Sequence, residues 1–102
     1  MSLKKKYLKT KPICKVRFEI PKSIANNAET INVVGVFNGW DMGAHPMKKQ
    51  KNGNFVSTIE LSVGNEYEFR YLYDHTSWEN DHAADKYVPT CFGDCENSVV
   101  IV

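Results

Sequence analysis

The chain has 102 residues, 42% of them hydrophobic and 25% charged, which is typical of one soluble globular domain. Five lysines lie in the first eleven residues, and the rest of the chain has eight basic and twelve acidic residues, a net charge of −4. This mildly acidic body does not favour nucleic-acid binding. No stretch resembles a signal peptide or the ~20 apolar residues of a membrane span, so we expect no membrane contact.

Cysteine usage predicts the compartment. An odd count of three cysteines (Cys14, Cys91 and Cys95) without a secretory context favours reduced thiols. We therefore expect a cytoplasmic protein.

The charge distribution divides the chain into residues 1–11, a basic N-terminal leader, and residues 12–102, a single domain that begins at Pro12. We interpret the leader as a solvated, partly frayed terminus. Contact of its lysines with an anionic partner is the alternative.

The first predicted strand of the domain alternates with period 2. Its apolar positions are Cys14, Val16, Phe18 and Ile20, and charged residues lie between them. Pro21 ends the strand. Residues 22–29 are polar and Asn-rich, which predicts a loop with room for one helical turn.

A buried strand over Thr30–Phe37 leads into a corner. The run contains β-branched and aromatic residues, as a strand covered on both faces would. Asn38 and Gly39 both tolerate positive φ, so they predict a tight turn. Trp40 follows at once beside Asp41, which favours an exposed indole held in place by the corner.

Turn signals separate the remaining strands. Asn52-Gly53 predicts a hairpin, and Gly64-Asn65 predicts a second turn. The next strand alternates four aromatic residues with polar ones and suits a central sheet position; its aromatic positions are Tyr67, Phe69, Tyr71 and Tyr73. Residues 79–85 and 89–96 are predicted loops, and Ser98–Val102 is a closing strand.

Six or seven short strands with no convincing helix predict an all-β fold, an immunoglobulin-like β-sandwich of about seven strands. The cysteines do not fit the inter-sheet bridge of antibody domains, because no tryptophan lies midway between two well-separated cysteines.

Several motifs, in this order and spacing, carry a resemblance; they are VGVFNGWD, NGNF and YEFRYLYD followed by Trp78. Together they resemble the early-set glycogen-binding domains of carbohydrate-binding module family 48. Such domains occur in isoamylases, branching enzymes and the β subunit of AMP-activated kinase. The likeness covers roughly Thr30–Val102, and the first thirty residues are similar to short, single-domain bacterial relatives.

The resemblance implies a set of sugar-contacting residues. Trp40 and Trp78 match the tryptophans that stack on glucose rings, and Arg70 matches a basic residue that bonds sugar hydroxyls. Phe92 matches an apolar residue that inserts against the curved glucan, and Asn97 matches an amide donor. The segment around Cys91 and Cys95, and the turn at residues 74–77, depart from the pattern of many relatives.

The chemistry of these residue types agrees with sugar binding, since an indole face stacks on the C–H face of a pyranose and an arginine presents several donors to hydroxyls. Each residue also has a structural interpretation. Trp78 alone would be assigned to the core, Arg70 to a solvated strand or an ion pair with Glu68 or Glu79, and Asn97 to a turn.

We predict no catalytic residue, cofactor or metal. Glycoside cleavage needs two carboxylates across the scissile bond, and the acidic residues here lie in loops that usually face solvent. The cysteines and histidines Cys91, Cys95, His75 and His82 could approach tetrahedral metal ligation, but their spacing is not that of a zinc site. Oxidation could join Cys91 to Cys95, but a reducing cytoplasm opposes this bond.

Two functions remain open. The leading hypothesis is non-catalytic binding of α-glucans such as glycogen, starch and maltooligosaccharides. The alternative is a protein-interaction scaffold for a glycoside hydrolase or another carbohydrate-active enzyme, with a degenerate sugar site.

Overall fold

The computed structural model describes residues 3–25, 27–89 and 96–102. These residues form nine β-strands and two short helices. The helices are α1 (Lys22–Ala25) and a 3-10 helix (Val36–Asn38). The strands are β1 (Leu3–Tyr7), β2 (Ile13–Ile20), β3 (Ile31–Gly35), β4 (Lys48–Lys49), β5 (Phe55–Ser62), β6 (Glu66–Tyr73), β7 (Ser77–Glu79), β8 (Lys86–Pro89) and β9 (Glu96–Ile101).

The strands form two antiparallel sheets that pack as a sandwich. One sheet has the order β1-β2-β5-β4, which we call sheet A. The other, sheet B, has the order β3-β6-β9-β8, and β7 pairs with the end of β6 beyond β9. The predicted all-β, immunoglobulin-like sandwich is confirmed, with nine strands in the described ranges instead of about seven.

The core lies between the sheets because alternate residues of β2 and β6 point inward. The predicted inward face of β2 is fully buried, as are Phe69 and Tyr71 of β6. Phe18 meets Phe69 edge-on, with ring centroids 5.1 Å apart, a favoured aromatic geometry. The central position predicted for the aromatic strand is confirmed, since β6 pairs with three other strands.

The N-terminal leader differs from the prediction. Leu3–Tyr7 is not frayed; it pairs antiparallel with β2, and Leu3 is buried opposite Phe18. The backbone hydrogen bonds of β2 and the burial of Leu3 order this segment. Its lysines lie on a sheet edge, where charged side chains oppose pairing with other chains. Lys5 also forms an ion pair with Asp85 at 2.7 Å.

The corner before Trp40 is built differently from the predicted turn. The strand ends at Gly35, and Val36–Asn38 form a turn of 3-10 helix. Gly39 and Trp40 have positive φ (65° and 61°), and Asn38 does not. Asn38 acts through its side chain: its Oδ1 accepts from the Gly35 amide, and its Nδ2 donates to the Val33 carbonyl. These contacts with β3 decide the backbone path.

The two predicted turns are confirmed, and two strands occur where none was predicted. Gly53 and Gly64 adopt positive φ in the two predicted turns, which confirms both. The segment around Trp78 was not predicted as a strand, yet it forms β7. Lys86–Pro89, partly predicted as loop, forms β8, because β9 offers an unpaired edge. The described residues contain no helix that is both long and apolar enough to cross a membrane.

The turn between β6 and β7 places two successive non-glycine residues, Asp74 and His75, at φ 51° and 59°. The backbone strain at Asp74 is offset, because its Oδ1 accepts hydrogen bonds from the amides of Glu29 and Thr30. The exposed His75 side chain makes no hydrogen bond with the described residues. No side-chain hydrogen bond of His75 to the described residues therefore offsets the strain of its left-handed backbone conformation.

Replacement of His75 by glycine should raise the free energy of unfolding by up to about 1 kcal/mol, because glycine adopts the left-handed region without steric cost. Thermal denaturation should show a melting temperature higher by a few degrees, about 4 °C. The control is Thr76→Gly, one residue later, where φ is outside the left-handed region. This replacement should lower the melting temperature. Equal effects of the two variants would contradict strain at His75.

Candidate functional site

The outer face of sheet B carries most of the residues singled out in the sequence. Because Phe69 and Tyr71 point into the core, Arg70 and Leu72 point to the opposite face. Trp78 of β7 lies directly opposite Leu72, so it shares that outer face. The Trp78 side chain is 43% exposed, which does not support its assignment to the core.

Arg70 and Asn97 are in direct contact. Arg70 Nε donates to Asn97 Oδ1 at 2.6 Å, and Asn97 Nδ2 donates to Glu68 Oε1 at 3.0 Å. Asn97 therefore lies on a strand with its amide held at both ends, and not in a turn. Arg70 does not pair with Glu68 or Glu79; its four terminal N–H donors make no bond within the described ranges.

Trp40 is bonded to the end of β3, the strand that pairs with the edge of β6 opposite to β7 and β9. Its amide donates to the Gly35 carbonyl at 2.9 Å, and Gly35 pairs with Phe69, the neighbour of Arg70. The indole is 38% exposed. It has no ring contact with another aromatic side chain of the described residues. The exposure expected for Trp40 is confirmed.

A polar cluster, buried at Asp81 and Ser98, fixes β7 against β9. Asn80 Nδ2 donates to the Glu96 carbonyl, and its Oδ1 accepts from Ser98 Oγ. Ser98 Oγ also accepts from the Asp81 amide, and Asp81 Oδ2 accepts from the Tyr71 hydroxyl at 2.5 Å. The cluster thereby sets the position of the Trp78 hairpin relative to the strand that carries Asn97.

Sequence reasoning missed this cluster. Asp81 belongs to an acidic stretch predicted to face solvent, yet it is 1% exposed. The donors of Tyr71 and Ala83 satisfy its carboxylate, which makes burial tolerable. No local sequence pattern indicates that Asp81 is buried. Tyr71 belongs to the aromatic core face of β6, and only the tertiary packing brings it to Asp81.

Two tyrosines beside the cluster should resist ionisation. Burial, followed by the charge of Asp81, raises the pKa of Tyr71 well above its ordinary value. Burial, followed by the charge of Glu79, raises the pKa of Tyr73 to about 12. Both tyrosines ionise near pH 10 in the unfolded chain, so their contribution to stability is complete below pH 10 and is lost as the pH rises through 12.

Absorbance titration of tyrosinate should therefore show two fewer ionised tyrosines at pH 11 in the folded protein than in the same protein in denaturant. The melting temperature should fall between pH 10 and 12. Ionisation of all five tyrosines near pH 10 in the folded state would contradict the burial of this pair.

An open groove of about 480 Å³ lies beside these residues. Its lining includes Arg70, Trp78, Asn80, His82, Tyr87 and Glu96. The volume lies within the range of ligand pockets, about 300–1,000 Å³. The groove therefore joins an exposed indole, a guanidinium and several polar groups.

The remaining residues named in the sequence analysis are Phe92, Cys91, Cys95, His75 and His82. Phe92, Cys91 and Cys95 lie outside the described residues. His82 lines the groove, whereas His75 lies in the β6–β7 turn. The structure thus joins Arg70, Trp78 and Asn97 on one face, and ties Trp40 to the neighbouring strand.

Known proteins resemble this chain over most of the sandwich. The family model of carbohydrate-binding module 48 (isoamylase N-terminal domain) matches residues 21–88. The matched range begins before Thr30, where the likeness was expected to start, and ends before Asn97.

Two relatives are bacterial enzymes, each described as a 1,4-alpha-glucan branching enzyme GlgB. That of Photobacterium profundum is 37% identical over 75 residues, 72% of this chain. That of Butyrivibrio fibrisolvens is 45% identical over 47 residues, 44% of this chain. The matched regions span 10% and 7% of the respective enzymes.

The family match covers more than half of the chain, and the two-sheet sandwich agrees with it. Both the motifs and the fold are accounted for by one family of carbohydrate-binding modules. The chain belongs to the carbohydrate-binding module 48 family.

Proposed function

We propose that this domain binds α-glucans, such as glycogen, starch and maltooligosaccharides, and does not cleave them. The observation that carries the proposal is one outer sheet face on which an exposed indole, Trp78, lies near a guanidinium and an amide that contact each other. The relatives are described as enzymes that act on 1,4-α-glucans, which supports this sugar class.

Each residue has a chemical role in the proposal. Trp78 and Trp40 stack on the apolar C–H faces of glucose rings. The terminal N–H groups of Arg70 donate to ring hydroxyls. Asn97 keeps one N–H and one lone pair available, because its other donor and acceptor positions bond Glu68 and Arg70. Phe92 is proposed as an apolar contact on the resemblance alone.

The site is open and shallow, so affinity should be modest. Calorimetric titration with maltoheptaose should give a dissociation constant on the order of micromolar to millimolar. Cellohexaose, with β-linkages, is the matched control and should bind more weakly, because its straight chain cannot follow the same ring positions. Absence of heat and of NMR shift changes with millimolar maltoheptaose would contradict the proposal.

A scaffold function is the second candidate. The matched relatives are about ten or more times longer than the matched region, so in those proteins the module is joined to a much larger chain. A carbohydrate-active enzyme would then be the partner of this domain. Co-sedimentation with glycogen distinguishes the candidates: a scaffold with a degenerate sugar site stays in the supernatant.

The proposal places the domain in the cytoplasm. Cys14 is a free, buried thiol, and burial raises its pKa. A free thiol agrees with a reducing compartment, where cysteines remain unpaired.

A further inference from the structure

The groove is also lined by an aromatic side chain that has no assigned role. Tyr87 of β8 is 41% exposed and lines the same groove as Trp78 and Arg70. It was not among the predicted site residues. The resemblance assigns sugar contacts to Trp78 and Arg70, but none to Tyr87.

The Tyr87 ring is held firmly although its face is open. Its hydroxyl donates to the Asp81 carbonyl at 2.5 Å and accepts from the Ala84 amide at 3.4 Å. Asp81 is itself fixed by Tyr71 and Ser98. A tyrosine held in this way offers a flat apolar surface and loses little conformational freedom when a ligand binds.

Polar side chains also line the groove. Both ends of the Asn80 amide are occupied by β9, so Asn80 shapes the groove. The side chains of His82 and Glu96 make no hydrogen bond or ion pair within the described ranges. They are therefore available to sugar hydroxyls, which act as both donors and acceptors.

We propose that Tyr87 forms a further sugar subsite, so that the groove from Trp78 to Tyr87 accommodates an α-glucan chain longer than the tryptophans alone contact. The inference rests on the proposed α-glucan binding and extends it. A short oligosaccharide occupies the tryptophan sites, and a longer one also covers the Tyr87 ring. The domain thereby selects for chain length.

The test compares maltotriose with maltoheptaose on three variants. Tyr87→Val, which keeps a strand-forming residue, should weaken maltoheptaose binding about fivefold and leave maltotriose binding within about twofold of the wild type. Tyr87→Phe keeps the ring and removes only the hydroxyl, so it should retain most of the preference for maltoheptaose. Trp78→Ala should weaken both ligands.

A second measurement needs no variant. In the wild-type protein, NMR resonances of the Tyr87 ring should shift with maltoheptaose and stay unchanged with maltotriose. Unchanged Tyr87 resonances with maltoheptaose, or equal affinities in Tyr87→Val and the wild type, would overturn the subsite. If Trp78→Ala still loses binding in that case, α-glucan binding stands without the extension; if the wild type binds neither sugar, both proposals fail.

Discussion

Replacement of Trp40 by glycine is expected to weaken maltoheptaose binding about tenfold or more, because it removes one of the two stacking tryptophans. Stability should change little. The residue has φ 61°, so glycine relieves backbone strain there and offsets the lost packing of a ring that is 38% exposed. Calorimetry and thermal denaturation measure the two effects separately.

Met42→Ala is the matched control for Trp40→Gly. Met42 follows in the same corner, is apolar and is 55% exposed, but has no proposed sugar contact. Its replacement should leave affinity unchanged. A large fall in the melting temperature of Trp40→Gly, with affinity retained, would show that the indole stabilises the fold and does not bind sugar.

Gly35→Ala is expected to cause the largest loss of stability, about 3 kcal/mol, with a melting temperature lower by more than about 10 °C. A Cβ at this position would lie 2.5 Å from the Glu68 carbonyl oxygen and 2.8 Å from Phe69 Cβ. Neither atom can move without shifting β6, so relieving the clash would disrupt the pairing of this central strand. The glycine is needed for close approach, since its backbone is extended.

The control for Gly35→Ala is Gly43→Ala. Its added Cβ would meet only Asp41 Oδ1, at 3.8 Å, and its φ is not in the left-handed region. Denaturation should show no loss beyond about 0.5 kcal/mol. Gly35→Ala should also weaken sugar binding, because β3 and β6 together position Trp40 and Arg70. Wild-type stability in Gly35→Ala would contradict the tight strand packing.

Local sequence determined the strands whose residues alternate strongly. β2, β5 and β6 bury the faces that their period predicts, because a strand with one apolar face has one favourable orientation. The turns at Gly53 and Gly64 were equally readable, since each needs positive φ. The order of motifs around Trp40, Arg70 and Trp78 was enough to indicate the family.

Tertiary structure decided the features that depend on partners distant in sequence. The lysine-rich β1 is a strand because β2 lies beside it, and Asp81 is buried because Tyr71 donates to it. Asn97 contacts Arg70 because the pairing of β9 with β6 ends beside Arg70. From Tyr71 onward, β7 pairs with β6 instead. The residues of such a pair carry no local periodicity or turn signal. Their hydrogen bonds form only after the two sheets have brought them together.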